Sequence, residues 1–250
     1  MIFKNVAAII LAAGKGTRIN AKDKNKVMFK LADKPMVAYA VERLKKAKIG
    51  QIVLVIGFAK DSVVSYFNDS VSYVVQEKRL GTGHAAKTGL SKLKKGIDYV
   101  LVLHGDDSAF YPTRVFKKLI KACQKEKRVL SFITLEMKKP RTARVIRNRN
   151  GDIVRIVEEQ EATEWEKKIK EINVGCYCFK RSFLEKFITV LEKNKTTGEY
   201  HLPDMIKIAI SEKLPIKAVK IKNEDFWCGV NTREELSKAR QQIKKLHARK

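Results

Sequence analysis

The sequence predicts an α/β fold, a Rossmann-like, mostly parallel sheet flanked by helices. Apolar, β-branched runs alternate with amphipathic stretches of helical length along the first half of the chain. The connections between them are short, which favours parallel strands joined by helices that pack on both faces of the sheet. A glycine-containing loop directly follows the first apolar run, at the end of a strand where α/β proteins bind ligands.

The first half of the chain contains five predicted strands and four predicted helices. The strands are Val6–Leu11, Ile52–Ile56, Val71–Val75, Tyr99–Leu103 and Val129–Leu135. The helices are Pro35–Lys48, Asp61–Phe67, Gly83–Lys94 and Thr113–Lys125.

The pattern changes after residue 140, where we expect a small β-rich lobe. Two short strands, Val145–Arg147 and Ile153–Val157, flank Asn150-Gly151, a strong hairpin-turn signal. A strand is expected at Ile172–Phe179 and a helix near Ser182–Lys193.

The last predicted helix is Thr232–His247. Thr232 and Glu235 have the spacing of a capping box, in which each side chain bonds the backbone N–H of the other residue.

The composition is that of a globular protein with an unusual charge. Of 250 residues, 44% are hydrophobic. No apolar run is long enough to span a bilayer and no signal peptide is recognisable, so we expect a cytoplasmic protein with no membrane partner. The 53 lysines and arginines outnumber 27 acidic residues, for a formal net charge of +26. Because these cations are spread along the whole chain, we interpret them as a solvated basic surface and do not assign a nucleic-acid partner.

The four cysteines do not form a disulfide framework in a chain of this length. Cys176 and Cys178 alternate along a predicted strand, and we interpret them as packing residues.

The first motif is the string LAAGKGTR at residues 11–18, directly after the first strand. Its small residues let backbone N–H groups approach an anion, although the spacing is neither that of G-x-G-x-x-G nor that of a Walker loop. Arg18 and Lys26 add two cations suited to a triphosphate. The candidate nucleotide-binding residues of this string are Leu11, Ala12, Ala13, Gly14, Gly16 and Thr17.

The second motif is QEKRLGTGHA at residues 76–85. The Gln76 amide offers a donor and an acceptor to the edge of a base, and a glycine backbone admits a flat ring. Gly83 opens the following helix, whose first N–H groups would point towards the nucleotide. Gly81 and Thr82, which precede it, are further candidate nucleotide-binding residues. His84 is interpreted as a helix-surface residue.

The third motif is LHGDD at residues 103–107, which ends a buried strand. A carboxylate at this position lies over the phosphates of a bound nucleotide and is a natural magnesium ligand. Asp106 is therefore the candidate metal ligand.

These motifs together resemble the signature of the sugar-phosphate nucleotidyltransferase superfamily, and in particular of its bacterial N-acetylglucosamine-1-phosphate uridylyltransferases. The resemblance covers about residues 5–240. It implies that the segment 76–85 reads uracil, that Arg18 and Lys26 are catalytic, and that Asp106 shares Mg²⁺ with Asn231.

The resemblance also implies a sugar site, and the departures from the family pattern lie on that side. Glu158 and Asn173 would hydrogen-bond the sugar beside the loop Gly198–Asp204. Ala143 replaces a glycine that approaches the sugar, His104 replaces a tyrosine, and Val174 stands where threonine is common. The candidate sugar-binding residues are His104, Ala143, Glu158, Asn173 and Asn231.

The reaction implied by this resemblance is UTP plus N-acetylglucosamine 1-phosphate to UDP-N-acetylglucosamine plus pyrophosphate, by in-line attack with Mg²⁺. One alternative is uridylyl or thymidylyl transfer to another sugar 1-phosphate, such as glucose 1-phosphate. A second is a basic nucleic-acid-binding protein on the same scaffold. The sequence contains no run of six-residue apolar repeats, so we do not expect in it the acetyltransferase β-helix that bifunctional family members carry.

We expect a single domain over residues 1–250. It would comprise a nucleotide-binding half at about 1–140, a sugar-binding half at about 141–231, and a C-terminal helix at 232–250.

Overall fold

A computed structural model describes residues 2–138, 140 and 142–248. The strands are β1 Phe3–Ala12, β2 Ile49–Ile56, β3 Ser72–Val75, β4 Tyr99–His104, β5 Leu130–Glu136, β6 Arg144–Arg147, β7 Ile153–Val157, β8 Glu171–Lys180 and β9 Ile216–Ile221. The helices are α1 Met36–Lys46, α2 Lys60–Phe67, α3 Thr82–Leu90, α4 Thr113–Gln124, α5 Glu164–Lys167, α6 Arg181–Phe187, α7 Asp204–Ser211 and α8 Arg233–Ala248.

The strands form one sheet of nine in the order β3-β2-β1-β4-β8-β5-β9, with the β6–β7 hairpin attached to the start of β8. Pairing is parallel from β3 to β4 and again between β5 and β9. The predicted mostly parallel sheet is therefore confirmed. Strand β8 runs antiparallel between β4 and β5 and separates them.

Helices cover both faces of the sheet, as predicted. The alternating side chains of β1 divide between two apolar layers: Val6, Ala8 and Ile10 pack with α1, α4 and α8 on one face. Ala7 and Ile9 pack with α3, α6 and α7 on the other. Within the described residues, no helix is both long enough and apolar enough to span a membrane.

Two predicted helices end earlier than expected. Helix α3 ends at Leu90, because the buried Gln51 amide binds the backbone of the following segment, donating to Lys92 O at 3.0 Å and accepting from Lys94 N at 3.0 Å. Helix α6 ends at Phe187, before the run Ile188-Thr189-Val190, whose β-branched side chains disfavour helix.

The predicted hairpin and the capping box of the last helix are both present. Glu235 N donates to Thr232 Oγ1 at 3.2 Å, and Thr232 N donates to the Glu235 carboxylate at 3.1 Å. The hairpin joins the main sheet through the pairing of Arg144 with Ile172. The division of the chain near residue 140 stays a prediction, since β8 and β9 from the second part belong to the same sheet as β1 to β4.

The cysteine interpretation agrees with the structure. Cys176 and Cys178 are both 0% exposed within the core, and all four cysteines are free thiols. The Cys123 thiol donates to Cys178 O at 3.2 Å, which is a packing contact between α4 and β8.

Candidate active site

A groove of about 400 Å³ opens at the carboxyl ends of β1 and β4. The loops after these two strands meet there with the segment that follows β3, as expected for an α/β sheet that binds a ligand at this edge. The groove brings together most of the residues predicted on the nucleotide side, namely Leu11, Ala12, Ala13, Gly14, Lys26, Gln76, Gly81, Thr82, His104 and Asp106.

Gly16 and Thr17 do not line this groove; they form the turn that brings Lys26 to it. Gly16 has a φ of 65°, and a Cβ there would lie 2.9 Å from Lys26 Cβ. Only glycine fits both the left-handed backbone and this close approach. Thr17 begins a single 3₁₀ turn, Thr17–Ile19. Direct nucleotide contact by these two residues stays a prediction.

Lys26, Asp106 and Asn231 form a polar cluster at the mouth of the groove. The Lys26 ammonium forms an ion pair with the Asp106 carboxylate and donates to Asn231 Oδ1 at 3.1 Å. The Arg18 guanidinium donates to the same Asn231 oxygen at 3.0 Å. The four predicted charge and metal residues therefore lie together, although Arg18 and Asn231 stand beside the groove rather than in its lining.

The two adjacent aspartates differ in their electrostatic environment. Burial alone would raise the pKa of the Asp106 carboxyl, but Lys26 and His104 outweigh burial and hold this pKa below its usual value. Burial, followed by the charge of Asp106, raises the pKa of Asp107 well above its usual value. Asp106 is thus the carboxylate of the pair that stays ionised.

Three side chains at the end of β4 could approach a cation. Ligating atoms of His104, Asp106 and Asp107 lie within 4.8 Å of one another. His104 Nε2 and Asp107 Oδ1 are buried without a hydrogen-bond partner among the described residues. This donor set fits a divalent ion next to Asp106. Asp107 was not predicted as a site residue, although its place in the LHGDD motif was a signal.

The segment after β3 holds Gln76 in a defined orientation. Gln76 Nε2 donates to Gly81 O at 3.2 Å and contacts His84 Nδ1 at 2.9 Å. Burial, with a smaller effect from Lys87, lowers the pKa of His84, so the imidazole is neutral and can accept this hydrogen bond. His84 is half-exposed on α3, as its interpretation as a helix-surface residue expects, and its ring also contacts the Gln76 amide.

The loop Gly198–Asp204 packs directly against the second motif. Gly81 has a φ of 95°, and a Cβ there would lie 2.6 Å from Tyr200 O. Gly83 N donates to Tyr200 O at 2.8 Å, and Thr82 Oγ1 accepts from Leu202 N at 3.0 Å. The loop therefore fixes the start of α3, where the predicted nucleotide-binding N–H groups lie.

Two of the residues predicted to bind the sugar, Glu158 and Asn173, lie in a second cluster beside the groove, whereas His104 lines the groove and Asn231 belongs to the Lys26–Asp106 cluster. Asn173 is 4% exposed, and its amide donates to Tyr177 OH at 2.7 Å while accepting from Gly175 N at 3.3 Å. Glu158 is close enough for its charge to help raise the pKa of Tyr177, after the larger effect of burial. Burial also raises the pKa of Glu158 itself. Gly175 connects the two clusters, because a Cβ there would lie 3.4 Å from His104 Nε2.

Ala143 is joined to the second cluster through its backbone. Its methyl group is 3% exposed and packs in the apolar layer that contains Val145 and Ile156. Its backbone carbonyl accepts from Asn173 N at 2.9 Å. Contact of Ala143 with the sugar stays a prediction.

The structure adds groove residues that were not predicted: Lys15, Asn25, Arg79 and Glu199. Asn25 is 0% exposed, and its amide donates to Ala12 O at 2.8 Å and to Phe58 O at 2.7 Å. Its side-chain oxygen accepts from Val27 N at 3.1 Å. Asn25 thus joins the loop after β1, the loop after β2 and the turn that carries Lys26. Its place in a run of charged residues offered no sequence signal.

The sequence pattern of the nucleotidyl transferase family matches residues 7–245, and the chain belongs to this family. It is 35% identical over 233 residues to Bifunctional protein GlmU of Acetivibrio thermocellus, a match that covers 93% of this chain and 50% of that protein. It is 36% identical to Bifunctional protein GlmU of Caldicellulosiruptor saccharolyticus, with 96% and 52% covered. The chain spans about half the length of these curated relatives.

Solved structures agree on the fold. A UDP-glucose pyrophosphorylase solved as a complex with UDP-glucose superposes with a TM-score of 0.80 at 22% identity, over 98% of this chain and 99% of that one. The α/β Rossmann-like architecture is therefore shared across the whole described chain.

Replacing Asn25 by Ala should destabilise the fold and loosen the groove together. The substitution leaves two buried carbonyls and the Val27 N–H without partners, at about 1–3 kcal/mol for each unsatisfied group. We expect the free energy of unfolding in urea to fall by at least about 2 kcal/mol, with weaker binding of nucleotide to the folded protein. Asn223→Ala is the matched control, since the Asn223 side chain accepts a single surface bond from Asp225 N. Equal losses in both variants would contradict the role assigned to Asn25.

Proposed function

We propose that this nucleotidyl transferase joins a sugar 1-phosphate to UTP and releases pyrophosphate, with N-acetylglucosamine 1-phosphate as the sugar substrate. The observation that carries the proposal is the juxtaposition of two features in one groove. The Lys26–Asp106–Asn231 cluster provides charged and polar groups that can bind phosphates. The Gln76 amide, which is fixed by its hydrogen bonds, can hydrogen-bond the edge of a base. The choice of N-acetylglucosamine 1-phosphate as the sugar substrate rests on the family resemblance of the sequence.

In the proposed reaction, a phosphate oxygen of the sugar 1-phosphate attacks the α-phosphorus of UTP. The bond from that phosphorus to the bridging oxygen of the β-phosphate breaks, and pyrophosphate leaves with the bonding electrons. Such transfers depend mainly on positioning and on charge stabilisation. Arg18 and Lys26 lie where they would neutralise phosphate oxygens, so no protein nucleophile is required.

Asp106 and Asn231 are the residues that would hold Mg²⁺. Their side-chain oxygens both bind the Lys26 ammonium, so both already point at one position that accommodates a cation. Oxygen ligands of this kind suit Mg²⁺. A bound ion would supply Lewis-acid neutralisation of the phosphate charge. Lys26 and Arg18, which share the Asn231 oxygen, would then be free to turn towards the triphosphate.

The contacts of Gln76 favour uracil over cytosine. Both hydrogens of its amide nitrogen are engaged, by Gly81 O and by His84 Nδ1. The amide oxygen has no hydrogen bond within the described chain, so it presents an acceptor to the groove. Uracil carries an imide N–H that can donate to this oxygen, whereas the corresponding nitrogen of cytosine is an acceptor and would be repelled. Thymine shares the imide, so dTTP stays an alternative substrate.

The positions of the three residues that depart from the family pattern support the assignment of the sugar. Ala143 and Val174 are 3% and 2% exposed and lie in the two apolar layers, so neither side chain narrows the groove. Of the three substituted positions, only His104 lines it. Glu158 is half-buried and Asn173 is buried, and the family resemblance gives both side chains the role of hydrogen-bonding sugar hydroxyls or an acetamido group. Glucose 1-phosphate is the alternative sugar, and action in the cytoplasm stays a prediction.

A substrate panel tests this proposal. Pyrophosphate release should be fastest with UTP and N-acetylglucosamine 1-phosphate in the presence of Mg²⁺, and should stop when the metal is chelated. Asp106→Asn should lower kcat by about two or more powers of ten, as for loss of a main electrostatic stabiliser. Asp98→Asn is the control, because Asp98 directly precedes β4 at the end of the strand that is remote from the groove. Its kcat should be close to that of the unmodified protein. Full activity of Asp106→Asn, or activity in chelator, would refute the proposed site.

Base selection gives a separate test of Gln76. We expect kcat/KM for UTP to exceed that for CTP by at least about 100-fold, because a mismatched base leaves buried polar groups unpaired. Gln76→Ala should reduce this ratio by about tenfold or more. Gln51→Ala removes another buried glutamine, one that bonds only the loop after α3, and should leave the ratio unchanged. Equal use of UTP and CTP by the unmodified protein would show that Gln76 does not read the base.

A further inference from the structure

A second, larger groove of about 650 Å³ lies between α4 and the edge strand β9. It is separate from the candidate active site and shares no lining residue with it. Its apolar residues are Ala122, Ala218 and Val219. All its other lining residues are lysine or arginine: Arg114, Lys117, Lys118, Lys121, Lys125, Arg128, Lys217 and Lys220.

The cations of α4 form a stripe along one side of the helix. Arg114, Lys118 and Lys121 are spaced by four and three residues, so they project in nearly one direction, and Lys125 follows directly after the helix ends. Successive charges on the helix are therefore about 5 Å apart along the axis, at 1.5 Å of rise per residue. Lys217 of β9 lies on the same face of the sheet as α4 and stands across the groove from this stripe, whereas Lys220 alternates to the other face of the strand.

Most of this charge is not neutralised by the protein. Arg128 pairs with Glu126 and Lys220 pairs with Glu136. The five other lysines, Lys117, Lys118, Lys121, Lys125 and Lys217, form no ion pair with any carboxylate in the described part of the chain. Arg114 is held over the Phe226 ring, with its guanidinium carbon 5.0 Å from the ring centroid. The groove thus concentrates a share of the +26 net charge that appeared evenly spread in the sequence.

We propose that this groove binds the phosphodiester backbone of a single-stranded nucleic acid. A row of cations along α4, with Lys217 across the groove from it, can follow a chain that carries one negative charge per nucleotide. Among the described residues, the lining contains no aromatic side chain for stacking and no carboxylate or amide side chain to read a base edge. The site therefore contacts phosphate and sugar and accepts any sequence.

Other polyanions fit the groove less well. A bilayer surface is planar, whereas the cations flank a concave channel. The carboxylates of an acidic peptide lack the regular one-per-unit spacing that matches the repeat along α4. A single strand carries one row of phosphates that can lie along one row of cations, so we take a single strand as the occupant, and a duplex is tested against it below.

Fluorescence anisotropy with a labelled twelve-nucleotide oligouridylate tests the proposal on the full chain. The logarithm of the binding constant should fall linearly with the logarithm of the KCl concentration, with a slope of about −0.7 for each phosphate neutralised. The triple variant Lys117→Gln, Lys118→Gln, Lys121→Gln should weaken binding at least about tenfold at low salt and should make the slope shallower by about 2. An oligothymidylate of equal length should behave alike, because the contacts are to the backbone.

Matched controls separate this groove from net charge and from the active site. The variant Lys92→Gln, Lys94→Gln, Lys95→Gln makes the same charge change on the exposed loop after α3, and it should bind as the unmodified protein does. Excess UTP with Mg²⁺ should not displace the oligonucleotide, and nucleotidyl transfer should be unchanged in both triple variants. Equal weakening in the two variants, or displacement by UTP, would overturn the proposal. So would tighter binding of an acidic peptide, of a duplex or of anionic vesicles.

Discussion

The ion pair between Lys26 and Asp106, shared with the Asn231 amide, is the interaction on which the candidate site depends. It joins segments separated by 80 and 205 residues in the chain. A largely buried carboxylate such as Asp106 is costly unless a cation compensates its charge. The Gly16 turn brings that cation, Lys26, to Asp106, and the capped start of α8 brings the Asn231 amide oxygen, which accepts from the same ammonium group. Loss of the turn that carries Lys26 would leave the Asp106 charge uncompensated.

The sheet explains how the residues predicted to bind the nucleotide and those predicted to bind the sugar come to lie at one edge. Strands β1 and β4 end at the groove with the phosphate-side residues, whereas β8 runs antiparallel beside β4 and carries Asn173 and Gly175 past the same end. Gly175 has a φ of 71° and lies against His104, so the sugar-side cluster abuts the cation cluster without an intervening side chain. An inserted antiparallel strand thus places the residues predicted to bind the sugar next to those predicted to bind the nucleotide within one sheet.

Most elements could be predicted from the sequence, because long apolar runs and glycine turns are local signals. The position of β8 between β4 and β5 could not, since strand order depends on contacts that no local pattern records. Strand β9 was missed because its lysines at 217 and 220 break the apolar alternation. In the site, motif residues such as Gln76 and Asp106 were found by their chemistry. Asn25 and the basic groove were not, since each is defined by residues brought together only in three dimensions.

The most direct test of the central claim is the location of a divalent ion in crystals grown with UTP and Mn²⁺, by anomalous scattering from the metal. We expect a peak within coordination distance of Asp106 and Asn231, with the Lys26 ammonium moved to the phosphates and the uracil edge against Gln76. A metal bound only elsewhere, with the Lys26–Asp106 ion pair intact in the nucleotide complex, would contradict it.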